Sequence, residues 1–209
     1  MPSGPAPEEA RLRAILTRPA GVTSDFDLDP AVAAQAAAAA VNGALPLRPA
    51  AVLVPVWPGP GGARLVLTRR SARLREHPGQ VALPGGGIER SDPTPEAAAL
   101  RESQEEIGLD PASVRVLGRL ATHRTVTGFS VTPVLGLIEG PFTPRPDLAE
   151  VDEVFAPPLA HLLDPSRYRI ERRRWQGTWR HYYTVPWGPY YIWGATACIL
   201  HAMARAAAA

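Results

Sequence analysis

Glu102, Glu105 and Glu106 are spaced so that only one local structure can use them together, and no other feature of this chain constrains its fold as tightly. At about 100° of rotation per residue the three acids share one face of a helix, while Ala97, Leu100 and Ile107 gather on the opposite side. Each like-charged pair at this spacing costs about a few tenths of a kcal/mol on an isolated helix. A positive group must therefore stand against the acidic face. Oxygen-rich sites with room for phosphate and water suit Mg²⁺ or Mn²⁺. The competing reading is a solvated acidic face on an ordinary surface helix. Arg101 beside the acids, and a loop of consecutive glycines at Gly85, Gly86 and Gly87, favour the first reading.

The helix has clear ends. Thr94 is placed to cap it, Pro95 fits the first turn, Glu96 suits the positive end of the dipole, and Gly108 offers a left-handed stop. Upstream, residues 9–17 predict a short helix with Leu12, Ile15 and Leu16 on one side. The alanine-rich stretch 31–41 predicts a helix against the body, with a mobile arm as the alternative. Residues 50–57 read as a buried strand, turned by a Pro-Gly loop into a second strand at 64–68. Further strands are expected at 80–83, 114–120, 131–138 and 181–185, with helices at 157–163 and 196–206. Helices inserted between strands, rather than segregated from them, imply an α/β sandwich with a mixed sheet.

Bulk properties narrow the function classes. A hydrophobic fraction of 45% and a charged fraction of 20% are those of a globular protein with an ample core. A formal net charge of +2 gives no argument for nucleic acid as a partner. The lone Cys198 excludes an intramolecular disulfide, and no Cys/His group has zinc-site spacing. No stretch reads as a membrane span or an apolar leader, so a cytoplasmic protein with no membrane partner is expected. A homodimer is left open. The division expected is an N-terminal helical extension at 1–46, packed on or near a domain at 47–209.

The run from Gly85 and Gly86 to Arg101, Glu102, Glu105, Glu106 and Gly108 resembles the Nudix box of the Nudix hydrolases. Its right half matches closely, with Ser103 where the family has an apolar residue. Its left half departs: counting back from Arg101 puts the first glutamate of the pattern at Pro93, while counting forward from Gly86 reaches Asp92. Leu67, Thr68, Arg69, Arg70 and Ser71, then Leu74 and Arg75, then His77, Pro78, Gly79, Gln80 and Val81, running into Leu83, Pro84, Gly85 and Gly86, are similar to a segment marking the coenzyme A diphosphatase branch. Residues 150–159 and 191–197 resemble other segments of the same branch. The resemblance implies an α/β/α sandwich and hydrolysis of a diphosphate bond with Mg²⁺ or Mn²⁺. For coenzyme A or an acyl derivative, the products implied are 3′,5′-ADP and 4′-phosphopantetheine.

Carried over residue by residue, Glu102 and Glu106 are the leading metal ligands, with Glu105 either a third ligand or the base that orients water. A carbonyl of Gly85 or Gly86 completes the shell, and glycine also lets the main chain approach a phosphate closely. The implied task of Arg101 is to hold the glutamates by ion pairing. Arg69 and Arg70 are expected on substrate oxygens, Arg70 first because it lies within the matched motif. Ser71 and Gln80 join the substrate-binding set, with loop-shaping hydrogen bonds as their competing role. Glu150 and Glu153 are expected in a loop after the sheet, Glu150 to serve metal or water and Glu153 to be a surface acid. Trp187, Tyr190 and Tyr191 either line a pantetheine or adenine pocket or pack in the core, and Trp193 is expected in the core. The rival functions are hydrolysis of another nucleoside diphosphate derivative, such as ADP-ribose, and a binding module that kept the fold without catalysis.

Overall fold

In a computed structural model, which describes residues 7–18, 21–29, 33–34, 47–59, 61–175 and 177–209, the chain begins with α1 (Pro7–Thr17) and β1 (Thr23–Ser24). The strands β2 (Arg48–Gly59), β3 (Gly62–Leu65), β4 (Leu67–Arg70), β5 (Val81–Ala82) and β6 (Gly85–Gly87) lead to helix α2 (Pro95–Ile107). Then come β7 (Val114–Arg119), β8 (His123–Arg124), β9 (Phe129–Ile138) and β10 (Val151–Phe155). Helix α3 (Leu159–Leu162), a ribbon of β11 (Arg169–Trp175) and β12 (Thr178–Thr184), and helix α4 (Gly194–Ala208) complete it. The helix expected at 31–41 lies outside the described residues apart from 33–34.

The run at 50–57 is apolar throughout because both faces of β2 are covered. Ala50, Val54 and Val56 join Leu12 and Ile15 of α1 and Leu200 and Met203 of α4 in one core. Ala51 and Leu53, on the alternate positions, join Ala98, Ala99 and Ile107 of α2 in the other. Beside β2 lies β9, paired in parallel from Arg48↔Phe129 to Val56↔Leu137. The mixed sheet runs β1-β8-β9-β2-β3, with β6 also on β2 and β7 on β9. Helix α2 on one face, with α1 and α4 on the other, makes the α/β/α sandwich. Pro55 falls between the β2 residues that pair with β6 and those that pair with β3, where a missing N–H is least harmful. A second sheet, β10-β4-β5, carries the motif residues 67–70 at its centre.

Three expectations need correction. The strand expected at 64–68 is interrupted at Val66, so that β3 belongs to the large sheet and β4 to the small one. The glycine triplet is a strand, not a loop, paired antiparallel with β2. Gly85 has φ +149, and a Cβ there would lie 2.4 Å from the Ala51 carbonyl oxygen, so only a residue without a side chain lets β6 come this close. The apolar face of α2 is rotated from the one expected. Ala98, Ala99, Ser103 and Ile107 are buried, whereas Ala97 and Leu100 are half-buried. Ser103 enters the core because its hydroxyl donates to the Ala99 carbonyl at 2.6 Å.

Candidate active site

Helix α2 starts and stops where its sequence dictates. The Thr94 side chain accepts from the Ala97 N–H, and Gly108 ends the helix at φ 68. The helix rests on β2 and β6, which brings its acidic turns against the glycine strand. A Cβ at Gly86 would lie 2.6 Å from the Glu102 carboxylate, so this glycine is the cradle in which the acid sits. The Gly85 N–H donates to Glu106 Oε2 at 3.1 Å.

Glu106 is 4% exposed. Burial pushes its carboxyl up to about 7, with the Gly85 N–H and Arg70 pulling down and the charges of Glu102 and Glu150 pushing further up. Burial also raises Glu102, against the pull of Arg101, with Glu105 and Glu150 adding to the rise. Four acids therefore feel one another at one end of α2. Glu150 reaches this place through main-chain bonds. The Arg145 and Asp147 N–H groups donate to the Ile107 and Glu106 carbonyls at 2.9 and 3.0 Å, strapping the loop to the helix terminus, and the Ser71 N–H donates to the Glu150 carbonyl at 2.8 Å.

Arg101 is the local counter-charge. Its Nη1 lies 3.0 Å from Glu102 Oε1 and 2.9 Å from Glu105 Oε2. Nε and Nη2 bond both oxygens of Asp92 at 3.1 and 2.9 Å, and Nη2 also donates to the Gly87 carbonyl at 3.2 Å. Asp92 is the residue that counting from the sequence alone left without a role. The longer loop delivers it to the guanidinium, and that contact holds its carboxyl below the usual range. The available signal was the forward count from Gly86, which lands on it.

Arg70 points at the acids, with Nη1 4.0 Å from Glu106 Oε1. Its Nε is buried with no acceptor among the described residues. Arg69, its neighbour on β4, faces the other side of the sheet and pairs with Glu153 at 3.3 Å. The structure thus separates the two arginines expected to act together. Glu153 lies in β10, not in a loop. Ser71 is fully buried, its Oγ accepting from the Arg73 N–H at 3.4 Å. Gln80 is half-buried and its carbonyl accepts from the Arg70 N–H at 2.9 Å. Trp193, expected in the core, is only half-buried.

Glu105 is the outlying acid, with a side chain 60% exposed. Among the described residues no three His, Cys, Asp or Glu side chains already converge on one point at ion-binding distance. The donor set still fits a hard divalent cation: all its side-chain donors are carboxylate oxygens, Gly86 lets the Glu102 carboxylate lie against the main chain, and Glu106 carries an ionisation that its surroundings only partly offset.

Residues 46–179 match the sequence model of the NUDIX domain. The chain is 43% identical over 171 residues to the Nudix hydrolase NudL of Klebsiella pneumoniae subsp. pneumoniae, covering 77% of this chain and 83% of that one. It is 44% identical over 175 residues to NudL of Citrobacter koseri, covering 78% and 85%. Among solved structures it resembles a Nudix hydrolase from M. smegmatis, RenU, with TM-score 0.48 and 28% identity over 57% of this chain and 77% of that one. Among the described residues no helix is long and apolar enough to cross a membrane.

Proposed function

Since this chain belongs to the Nudix hydrolase family, whose members split diphosphate bonds, we propose that its substrate is coenzyme A or an acyl derivative, cut to 3′,5′-ADP and 4′-phosphopantetheine. The observation that carries the site assignment is the buried Glu106, raised to about 7 beside Glu102 and Glu150. A cation held there by Glu102 and Glu106, with the Gly86 main chain as a further ligand, would be Mg²⁺ or Mn²⁺; it neutralises diphosphate oxygens and lowers the pKa of bound water.

The chain's own groups do the rest. Arg101, fixed by Asp92, orients Glu102 and Glu105 and prevents their repulsion from splaying the helix end. Arg70 supplies a guanidinium beside Glu106, with 27% of its side chain exposed, whose planar fork suits a phosphate oxygen. Glu105 and Glu150, the exposed acids of the group, are placed to take a proton from the attacking water. Ser71 and Gln80 act on substrate through the loop they shape, which fixes the backbone of Arg70. The catalytic domain in this reading is 47–209, with 1–46 as an extension whose first helix packs on α4.

The sequence likeness of residues 67–86, 150–159 and 191–197 to the coenzyme A branch supports the substrate choice. The test is side-by-side turnover of coenzyme A, 3′-dephospho-coenzyme A and ADP-ribose, with products weighed by mass spectrometry after reaction in oxygen-18 water. Preference for coenzyme A, with 3′,5′-ADP released, is the expected result. Preference for ADP-ribose discards the substrate while leaving the diphosphatase in place.

A further inference from the structure

The three branch-like stretches are far apart along the chain, yet they meet at one cavity that the chemistry above does not use. It measures about 450 Å³ and is lined by Arg69, Gly79 and Val81 from the first stretch, Glu153 from the second, and Tyr191 and Trp193 from the third. It lies across β4 from the acids, on the side to which Arg69 points. Only β5 separates the two faces at that edge, being the outer strand of its sheet. A linear ligand with its diphosphate beside Glu106 would have to pass round this short strand to enter the cavity, whose wall includes Gly79.

The charges in the cavity wall are already matched. Arg69 Nη2 lies 3.3 Å from Glu153 Oε2, and the Tyr190 hydroxyl donates to the other Glu153 oxygen at 2.5 Å. The Tyr191 hydroxyl donates to Glu171 at 2.5 Å. A phosphate entering here would find no unmatched cation among the lining residues. Two of the rings have one face engaged, Tyr190 stacking on Phe155 at 3.6 Å and the Arg173 guanidinium lying over Trp193 at 4.8 Å, while Tyr191 is 42% exposed. The rest of the lining is aromatic ring surface with Val81 and Pro189, suited to methylenes and amides, in a volume typical of small-ligand sites.

We propose that this cavity is the subsite for the uncharged, amide-bearing arm of the substrate, an inference that rests on the coenzyme A reading. Pantetheine alone, added without metal, shifts the Trp193 indole N–H resonance saturably, the signal being assigned by its loss in Trp193→Phe. Adenosine leaves that resonance in place. Tyr191→Ala removes part of the wall and Pro189→Trp fills the rim; each weakens pantetheine by about tenfold. A shift caused by adenosine, or by neither compound, overturns the assignment. Turnover separates the two claims: pantetheine binding in a protein that does not cut coenzyme A keeps the subsite and removes the substrate reading. Turnover without a Trp193 shift does the reverse.

Discussion

Glu96 and Glu106 occupy opposite ends of the same helix and are treated in opposite ways. Glu96, in the first turn, receives Arg119 through both oxygens at 2.6 and 2.8 Å, and that contact draws its carboxyl down to about 2. Glu106, in the last turn, is buried with one N–H and an arginine only at 4.0 Å, and rises to about 7. The chain has arginines to spare, so the shortage at Glu106 is a matter of placement, not composition. One end of α2 is electrostatically finished. The other is left wanting a positive charge that the protein does not itself supply.

The largest test of this contrast removes the unsatisfied charge. Glu106→Gln lowers turnover by at least about a thousandfold, the several kcal/mol that metal-assisted catalysis supplies, while the metal-free protein melts no lower than wild type. Wild-type turnover in this variant sinks the site assignment. Next, Arg101→Lys keeps the charge but loses the planar fork that joins Asp92, Glu102 and Glu105. Misplaced acids then cost about ten- to a hundredfold in kcat, and a kcat equal to wild type shows that the fork is dispensable.

A subtler test is the pH dependence of folding without metal. A carboxyl raised in the folded state favours folding when protonated, so its contribution is whole below about 4.5 and disappears as pH climbs through about 7. Stability therefore falls over that window, on the order of 3 kcal/mol from Glu106 alone. Mg²⁺ raises the melting temperature more at pH 8 than at pH 5.5, and equal rises at both would contradict the contrast. The smallest effect belongs to the finished end. Glu96 is lowered, so its contribution is present above about 4.5 and lost as pH falls through about 2. Arg119→Ala moves the acid-unfolding midpoint upward in circular dichroism and leaves turnover alone.

Much of the frame was legible because it follows local rules. The Thr94, Pro95 and Gly108 signals placed α2 within a residue of its ends, and unbroken apolar character at 50–57 marked a strand covered on both sides. The glycine strand was hidden because its pairing depends on the lack of side chains, which leaves no apolar alternation to read. Ribbon strand β11 was hidden for the opposite reason, since its arginines face water and present no core pattern. In the site, the acid face and the holding role of Arg101 followed from helical spacing and the family resemblance. The division of Arg69 from Arg70 did not, because a run of arginines in a loop-like context gives no hint that β4 will place successive side chains on opposite faces. Asp92 was reached by the forward count from Gly86, but its contact with Arg101 needed the fold, which shows where the longer loop returns.

The strap between 145 and 150 has a practical corollary. Its position depends on the N–H groups of residues 145 and 147 and the carbonyls of 106 and 107, all groups that every non-proline residue carries. Leu148 at its crest, 62% exposed, contributes none of those bonds. Evolution is therefore free to rewrite that crest, and an experimenter is free to hang a dye or a spin label on it, within reach of the chemistry yet without disturbing how Glu150 is presented.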